Sequence, residues 1–161
     1  MTIEVGSRLP DAKLMTMTAE GPSAIQAADF FAGKTVAFFA LPGAYTPTCS
    51  ARHLPGFVEK ADALKAKGVD EIACLSVNDV FVMGAWGKDN GAEGKVTLLA
   101  DGNAEFTTAV GLTMDGSGFG MGTRSQRYAM VVKDGVVEHL FIEEPGAFEV
   151  SSADHMLEQL G

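Results

Sequence analysis

Apolar residues along this chain come in short blocks divided by turn residues, and two spacings alternate. Val36-Ala37-Phe38-Phe39-Ala40-Leu41 is apolar at every position. That pattern suits a strand covered on both faces and predicts one over 35–41. Glu71–Val77 predicts a second buried strand, Val96–Ala100 a third, and Lys13–Thr18 a short early one. Between them the period lengthens. Leu54, Phe57, Ala61 and Leu64 recur at spacings of three and four, which predicts a helix from near Ser50 to about Lys67, closed by Gly68. Pro55-Gly56 lies inside it and predicts a kink. Asn78-Asp79 offers an N-cap to a helix over Val80–Lys88 that carries the single tryptophan, Trp86. Asp29–Lys34 reads as a helix end or turn, Asp101-Gly102-Asn103 as a turn, and Ala104–Val110 as a short helix. Residues 115–122, with four glycines, read as a mobile loop. Arg127–Lys133 and Val136–Ile142 flank Asp134-Gly135, a strong hairpin signal. A last helix covers roughly Ala153–Leu160.

Strand and helix alternate through the first two thirds, then a hairpin and a helix close the chain. That order implies an α/β fold with a mixed sheet and helices on both faces. The 161 residues fit one domain, 1–161, large enough to bury a core. The formal charge of −9 argues against a nucleic-acid partner, which needs a basic footprint. No apolar run approaches the ~18 residues of a membrane span, and the first residues lack the pattern of a secretory signal. Two cysteines are too few for a disulfide scaffold, so a reducing, cytoplasmic setting is expected.

Cysteine placement changes this plain picture. Cys49 falls where the strand over 35–41 hands over to the next helix, in Pro42-Gly-Ala-Tyr-Thr-Pro-Thr-Cys49. Unpaired N–H groups and the helix dipole at a first turn favour negative charge, and the thiolate is the reactive form of cysteine. Thr46 can offer a hydroxyl to the sulfur or to a bound oxygen. Pro42 and Pro47 stiffen the loop and remove two donors. A cation beside the sulfur would stabilise the thiolate most, and Arg52, His53, Arg124 and Arg127 are the candidates. Arg127 shares a face with Ala129 in the hairpin strand, whereas Arg124 reads as a solvated surface residue. Cys74 sits among Ile72, Leu75 and Val77 and reads as core. His53, four residues past Cys49, allows a cysteine hydrolase as a rival chemistry. His139 and His155 show no ligand spacing, so no metal site is expected.

The run Pro42-x-x-x-Thr46-x-x-Cys49 resembles the active-site signature of the peroxiredoxins. Leu41–Ser50, His53-Leu-Pro-Gly-Phe57, Ala73–Asp79, Trp86-Gly87, Gly94-Lys95-Val96, Leu98–Asp101 and Arg127–Val132 resemble the peroxiredoxin-5 subfamily, plant type II included. The resemblance implies a thioredoxin-like fold with insertions. It implies that Cys49 attacks the peroxide O–O bond and becomes a sulfenic acid. Thr46 and Arg127 would hold the peroxide oxygens, Pro42 would shield the sulfur, and His53 and Tyr45 would support the pocket. Tyr45 stands where the subfamily often has Phe. Relatives commonly form dimers beside the active site, which makes Trp86 and the 115–122 loop interface candidates. Some carry a late resolving cysteine, but Phe148-Glu-Val-Ser-Ser152 has none. A single essential cysteine is therefore expected, regenerated by glutathione, glutaredoxin or thioredoxin, with no bound cofactor. A rival reading is a non-enzymatic peroxide sensor that passes its oxidation to a partner protein.

Overall fold

A computed structural model describes residues 1–161. The strands are β1 (Lys13–Thr18), β2 (Gly21–Gln26), β3 (Thr35–Ala40), β4 (Glu71–Ser76), β5 (Thr97–Ala100), β6 (Thr113–Asp115), β7 (Thr123–Ser125), β8 (Tyr128–Lys133) and β9 (Val136–Ile142). The helices are α1 (Ala27–Phe31), α2 (Leu54–Glu59), α3 (Ala61–Ala66), α4 (Val80–Asp89), α5 (Glu105–Val110) and α6 (Ala153–Leu160). Seven strands form one sheet in the order β2-β1-β5-β4-β3-β8-β9, with β3, β4 and β5 parallel and the rest antiparallel. No helix is long and apolar enough to cross a membrane.

Both faces of the central strands are buried, as their unbroken apolar runs require. Ala37, Phe39, Leu41, Ile72, Cys74, Ala129 and Val131 point to one side, against α2, α3, α4 and α6. Val36, Phe38, Ala40, Ala73, Leu75, Met130 and Val132 point to the other, against α1 and α5. The alternation follows from the two-residue period of a strand.

Several elements differ from the sequence expectation. β2 pairs with β1 along its length, yet its Gly-Pro-Ser start carries no strand signal. Asp29–Lys34 straddles the end of α1, which begins earlier, at Ala27. The glycine-rich loop is not open chain: β6 and β7 pair across it, with a short 3-10 turn at Ser117–Phe119. Local hydrogen bonds such as Gly116 N to Gly122 O at 2.7 Å supply the order that composition hides.

The helix after Cys49 also departs from a simple kink. Residues 49–53 form a π-turn, in which Leu54 N–H donates to Cys49 O. Pro55 has no N–H to give the carbonyl four residues back, so the ladder widens ahead of it. A second break at Lys60 separates α2 from α3.

Strand register gathers the loops that matter at one sheet edge. Ala40 pairs with Tyr128, and Tyr128 pairs with Ile142. The chain leaving β3 toward Cys49, the residue entering β8 (Arg127) and the residue leaving β9 (Glu143) therefore meet. This is the carboxyl end of the parallel strands, the usual place for a site in an α/β sheet.

Candidate active site

The helical run begins at Pro47, a position that needs no N–H and suits proline. Thr46 precedes it and its carbonyl accepts from Ser50 N–H at 3.0 Å. The Thr46 hydroxyl donates to Gly43 O at 2.6 Å, closing the loop on itself. Asn78, just beyond β4, pins the same loop from below: its Oδ1 accepts from Ala44 N–H at 3.0 Å and from the Ser76 hydroxyl at 2.7 Å. A Cβ at Gly43 would lie 2.9 Å from Arg124 Nη1 and 3.2 Å from Thr46 Cγ2, so a side chain there would push the end of Arg124 aside.

Cys49 is fully buried. Its sulfur nevertheless meets a cation. Arg127 Nη2 donates to Cys49 Sγ at 3.2 Å, and Nη1 donates to His53 Nδ1 at 2.9 Å. Arg127 is half-buried, with its guanidinium 5.8 Å from the Phe148 ring. Arginine stays charged across the protein pH range, so the buried sulfur always faces a positive partner.

His53 is not the second cation. Phe39, Phe57 and Phe148 surround its ring at centroid distances of 4.8, 5.8 and 5.0 Å. Burial, with the positive Arg127 second, pushes its pKa down from 6.5 to about 3. Because arginine only donates, Nδ1 is the bare nitrogen and Nε2–H donates to Ser151 O at 2.9 Å. Both nitrogens are thus engaged, leaving none to act as base for a hydrolase.

The remaining candidates sort clearly. Arg52 is exposed and lies over the Phe148 ring at 4.7 Å, away from the sulfur. Arg124 is half-buried rather than solvated: it donates to Met121 O at 2.9 Å and Pro42 O at 3.3 Å, bracing the loop. Tyr45 points outward, 53% exposed, and its hydroxyl donates to Asp89 at 2.6 Å. It holds the loop to the end of α4 and lines no pocket with Arg127. Its φ of 64° is the left-handed conformation that side chains resist, and the tie to Asp89 offsets that strain.

Trp86 cannot be an interface residue, because it is fully buried, with Nε1–H donating to the Ser50 hydroxyl at 2.9 Å. Trp86→Ala is expected to cost about 3–5 kcal/mol of stability, measured as a lowered urea midpoint. Phe119, by contrast, is 87% exposed at the tip of the β6–β7 hairpin. Cys74 is core as expected, and burial pushes its thiol pKa well up.

A cavity of about 540 Å³ opens beside the guanidinium, lined by Pro42, Thr48, Phe119, Arg127, Glu143 and Pro145 among others. Cys49 and Thr46 lie outside that lining, and Arg127, which lines the cavity, is the group that reaches the sulfur. Sequence reasoning missed Glu143, Ser151, Asn78 and Ser50. Glu143 gave one local signal: an acidic residue directly after an apolar strand run.

The Redoxin family matches residues 4–157. The chain is 53% identical over 164 residues to peroxiredoxin-2E-2, chloroplastic, from Oryza sativa subsp. japonica, spanning 99% of this chain and 73% of that one. The chain is a peroxiredoxin. Reduced Prx3 from Vibrio vulnificus, in complex with H2O2, superposes with a TM-score of 0.96 at 53% identity over 99% of this chain and 100% of that one. A Burkholderia cenocepacia chain described as a putative thioredoxin reductase superposes at 0.98 with 54% identity, over 100% and 99%. The fold is thioredoxin-like, and this peroxiredoxin is a thiol-dependent peroxidase. Its cysteines lie far apart in sequence, at 49 and 74, with no Cys-x-x-Cys pair for dithiol chemistry.

The pH dependence of peroxiredoxin stability follows from two depressed groups. The unfolded chain binds a proton at His53 near 6.5 that the native state refuses until about 3. That contribution is complete above about pH 6.5 and is lost as pH falls. Glu143 acts in the same direction: burial alone would raise its pKa, but bonds from Ser151, Glu149 and Val150 hold it below its ordinary 4.5. The denaturation midpoint is therefore expected to fall on acidification from pH 7. The part lost above pH 5 should vanish in His53→Asn.

Proposed function

We propose that Cys49 is the peroxidatic nucleophile, with Arg127, Thr46 and Pro42 completing the site. The observation that carries this reading is the guanidinium donating to the only sulfur within the signature loop. A thiolate at Cys49 attacks one peroxide oxygen. The S–O bond forms as the O–O bond breaks, and the departing oxygen leaves as hydroxide or alkoxide and takes up a proton. Sulfur is oxidised to sulfenic acid while the peroxide is reduced. Arg127 stabilises charge on the thiolate and on the departing oxygen, Thr46 orients the peroxide, and Pro42 keeps water off the sulfur.

The return half of the cycle uses an external thiol. A thiol condenses with the sulfenic acid, releasing water and leaving a mixed disulfide; a second thiol then frees Cys49. Two facts support one essential cysteine: Phe148–Ser152 carries none, and Cys74 is buried in core. Glutathione with glutaredoxin, or thioredoxin, fits this chemistry in a reducing, cytoplasmic setting, and no bound cofactor is needed for either half. We further propose a homodimer built around the exposed Phe119 hairpin, beside the cavity. Mass spectrometry after one equivalent of peroxide tests the assignment: +16 on Cys49, or a glutathione adduct there once glutathione is added, is expected. Oxidation on Cys74 instead would overturn it.

A further inference from the structure

We propose that Glu143 is a positioning residue: it closes a ring of hydrogen bonds that sets which His53 nitrogen carries the hydrogen and so aims the guanidinium at Cys49. This rests on the role of Arg127 proposed above. Glu143 is tied at both ends. Its backbone N–H donates to Arg127 O at 3.0 Å. Its buried carboxylate gathers a turn around one oxygen: Oε2 accepts from the N–H groups of Glu149, Val150 and Ser151 at 2.7, 2.9 and 2.8 Å and from the Ser151 hydroxyl at 2.7 Å. The carbonyl of that same Ser151 accepts from His53 Nε2–H, His53 Nδ1 accepts from Arg127 Nη1, and Arg127 Nη2 donates to Cys49 Sγ. The ring runs from the Arg127 backbone through Glu143, Ser151 and His53 back to the Arg127 guanidinium.

Charge at position 143 matters because four donors converge on one oxygen. A carboxylate oxygen suits such a concave set of amides, whereas a neutral group answers it poorly. Without the carboxylate, three N–H groups lose their partner and the turn must reorganise. The Ser151 carbonyl then moves off Nε2–H, and His53 is free to place a hydrogen on Nδ1. A hydrogen there faces the guanidinium donor instead of accepting from it. The fork of Arg127 would turn away from the sulfur, 16 residues in sequence from the residue changed.

The test uses Glu143→Ala, Glu143→Gln and Ser151→Ala in the full chain, each checked for folding by circular dichroism. The readouts are the His53 tautomer, from long-range 15N–1H NMR, and the rate constant of reduced Cys49 with hydrogen peroxide. The parent is expected to show a single Nε2–H tautomer. Glu143→Ala is expected to mix the tautomers and slow the peroxide step about tenfold, since small misplacements at a reacting centre are costly. Glu143→Gln keeps one acceptor and is expected to fall between the two. A folded Glu143→Ala with the parent tautomer overturns the proposal, whether or not its rate falls, because the turn would then act otherwise than through His53. If Glu143→Ala does not fold, Glu143→Gln and Ser151→Ala decide: shifted tautomer populations support the ring, and parent-like spectra in both overturn it. Because the NMR readout is independent of turnover, a wrong role for Arg127 shows separately, as unaltered rates in Arg127→Ala.

Discussion

Cys49→Ser is expected to reduce peroxide consumption to the background of the reductant alone, while Cys74→Ser retains most of the rate. A hydroxyl at 49 stays protonated even beside a guanidinium and is a poor nucleophile toward an O–O bond. Cys74 lies in the same buried core as Cys49 but has no donor to its sulfur, and burial keeps its thiol protonated. It is therefore unreactive in the folded protein. The serine at 74 places a hydroxyl in the core at a cost of about 1–3 kcal/mol, so that variant should melt earlier yet turn over normally at low temperature. Peroxide consumption followed with a small dithiol as reductant separates the two. Equal loss in both variants would mean that Cys74 takes part in the cycle.

Much of this site is legible in the chain because its central parts are local. Pro42, Thr46 and Cys49 lie within one loop, and the apolar run before them marks the strand that carries it. The two strands of the closing hairpin, from which Arg127 projects, are legible from Asp134-Gly135. What that reading lacks is register. Only the pairing of Ala40 with Tyr128, and of Tyr128 with Ile142, brings Arg127 and Glu143 to the same edge. Surroundings are equally hidden. His53 reads as a potential cation from its position, but Phe39 and Phe148, brought in from other segments, join the nearby Phe57 in burying it, and burial makes it neutral. Tyr45 reads as a pocket residue until its left-handed backbone turns the ring outward. Trp86 is an interface candidate only through the dimers that the resemblance implies, and the sequence does not show that its face of the helix is turned into the core. Composition misleads in the same way at 115–122, where backbone hydrogen bonds across the turn, with the Asp115 carboxylate accepting from Ser117 N–H at 2.9 Å, make the hairpin.

Arg127→Ala is expected to lower the rate constant with hydrogen peroxide by on the order of 10²–10³, the usual effect of removing one preorganised donor from a developing charge. Arg124→Ala should lower it far less. The two arginines are three residues apart, and both reach the Cys49 loop, so their comparison isolates geometry from charge. Arg124 donates to the carbonyls of Met121 and Pro42. Its loss loosens the loop but leaves the sulfur's partner in place. Arg127 is the group that touches the sulfur, and it does so while also donating to His53. That division of its donors makes Arg127→Lys informative. A lysine restores the charge but not the planar fork, so it cannot hold His53 and the sulfur in the same fixed geometry. The lysine variant is expected to recover only part of the lost rate, and the parent's advantage over it measures orientation apart from charge. Full recovery would show that a point charge suffices, and equal defects in Arg124→Ala and Arg127→Ala would remove Arg127 from its special place beside the sulfur.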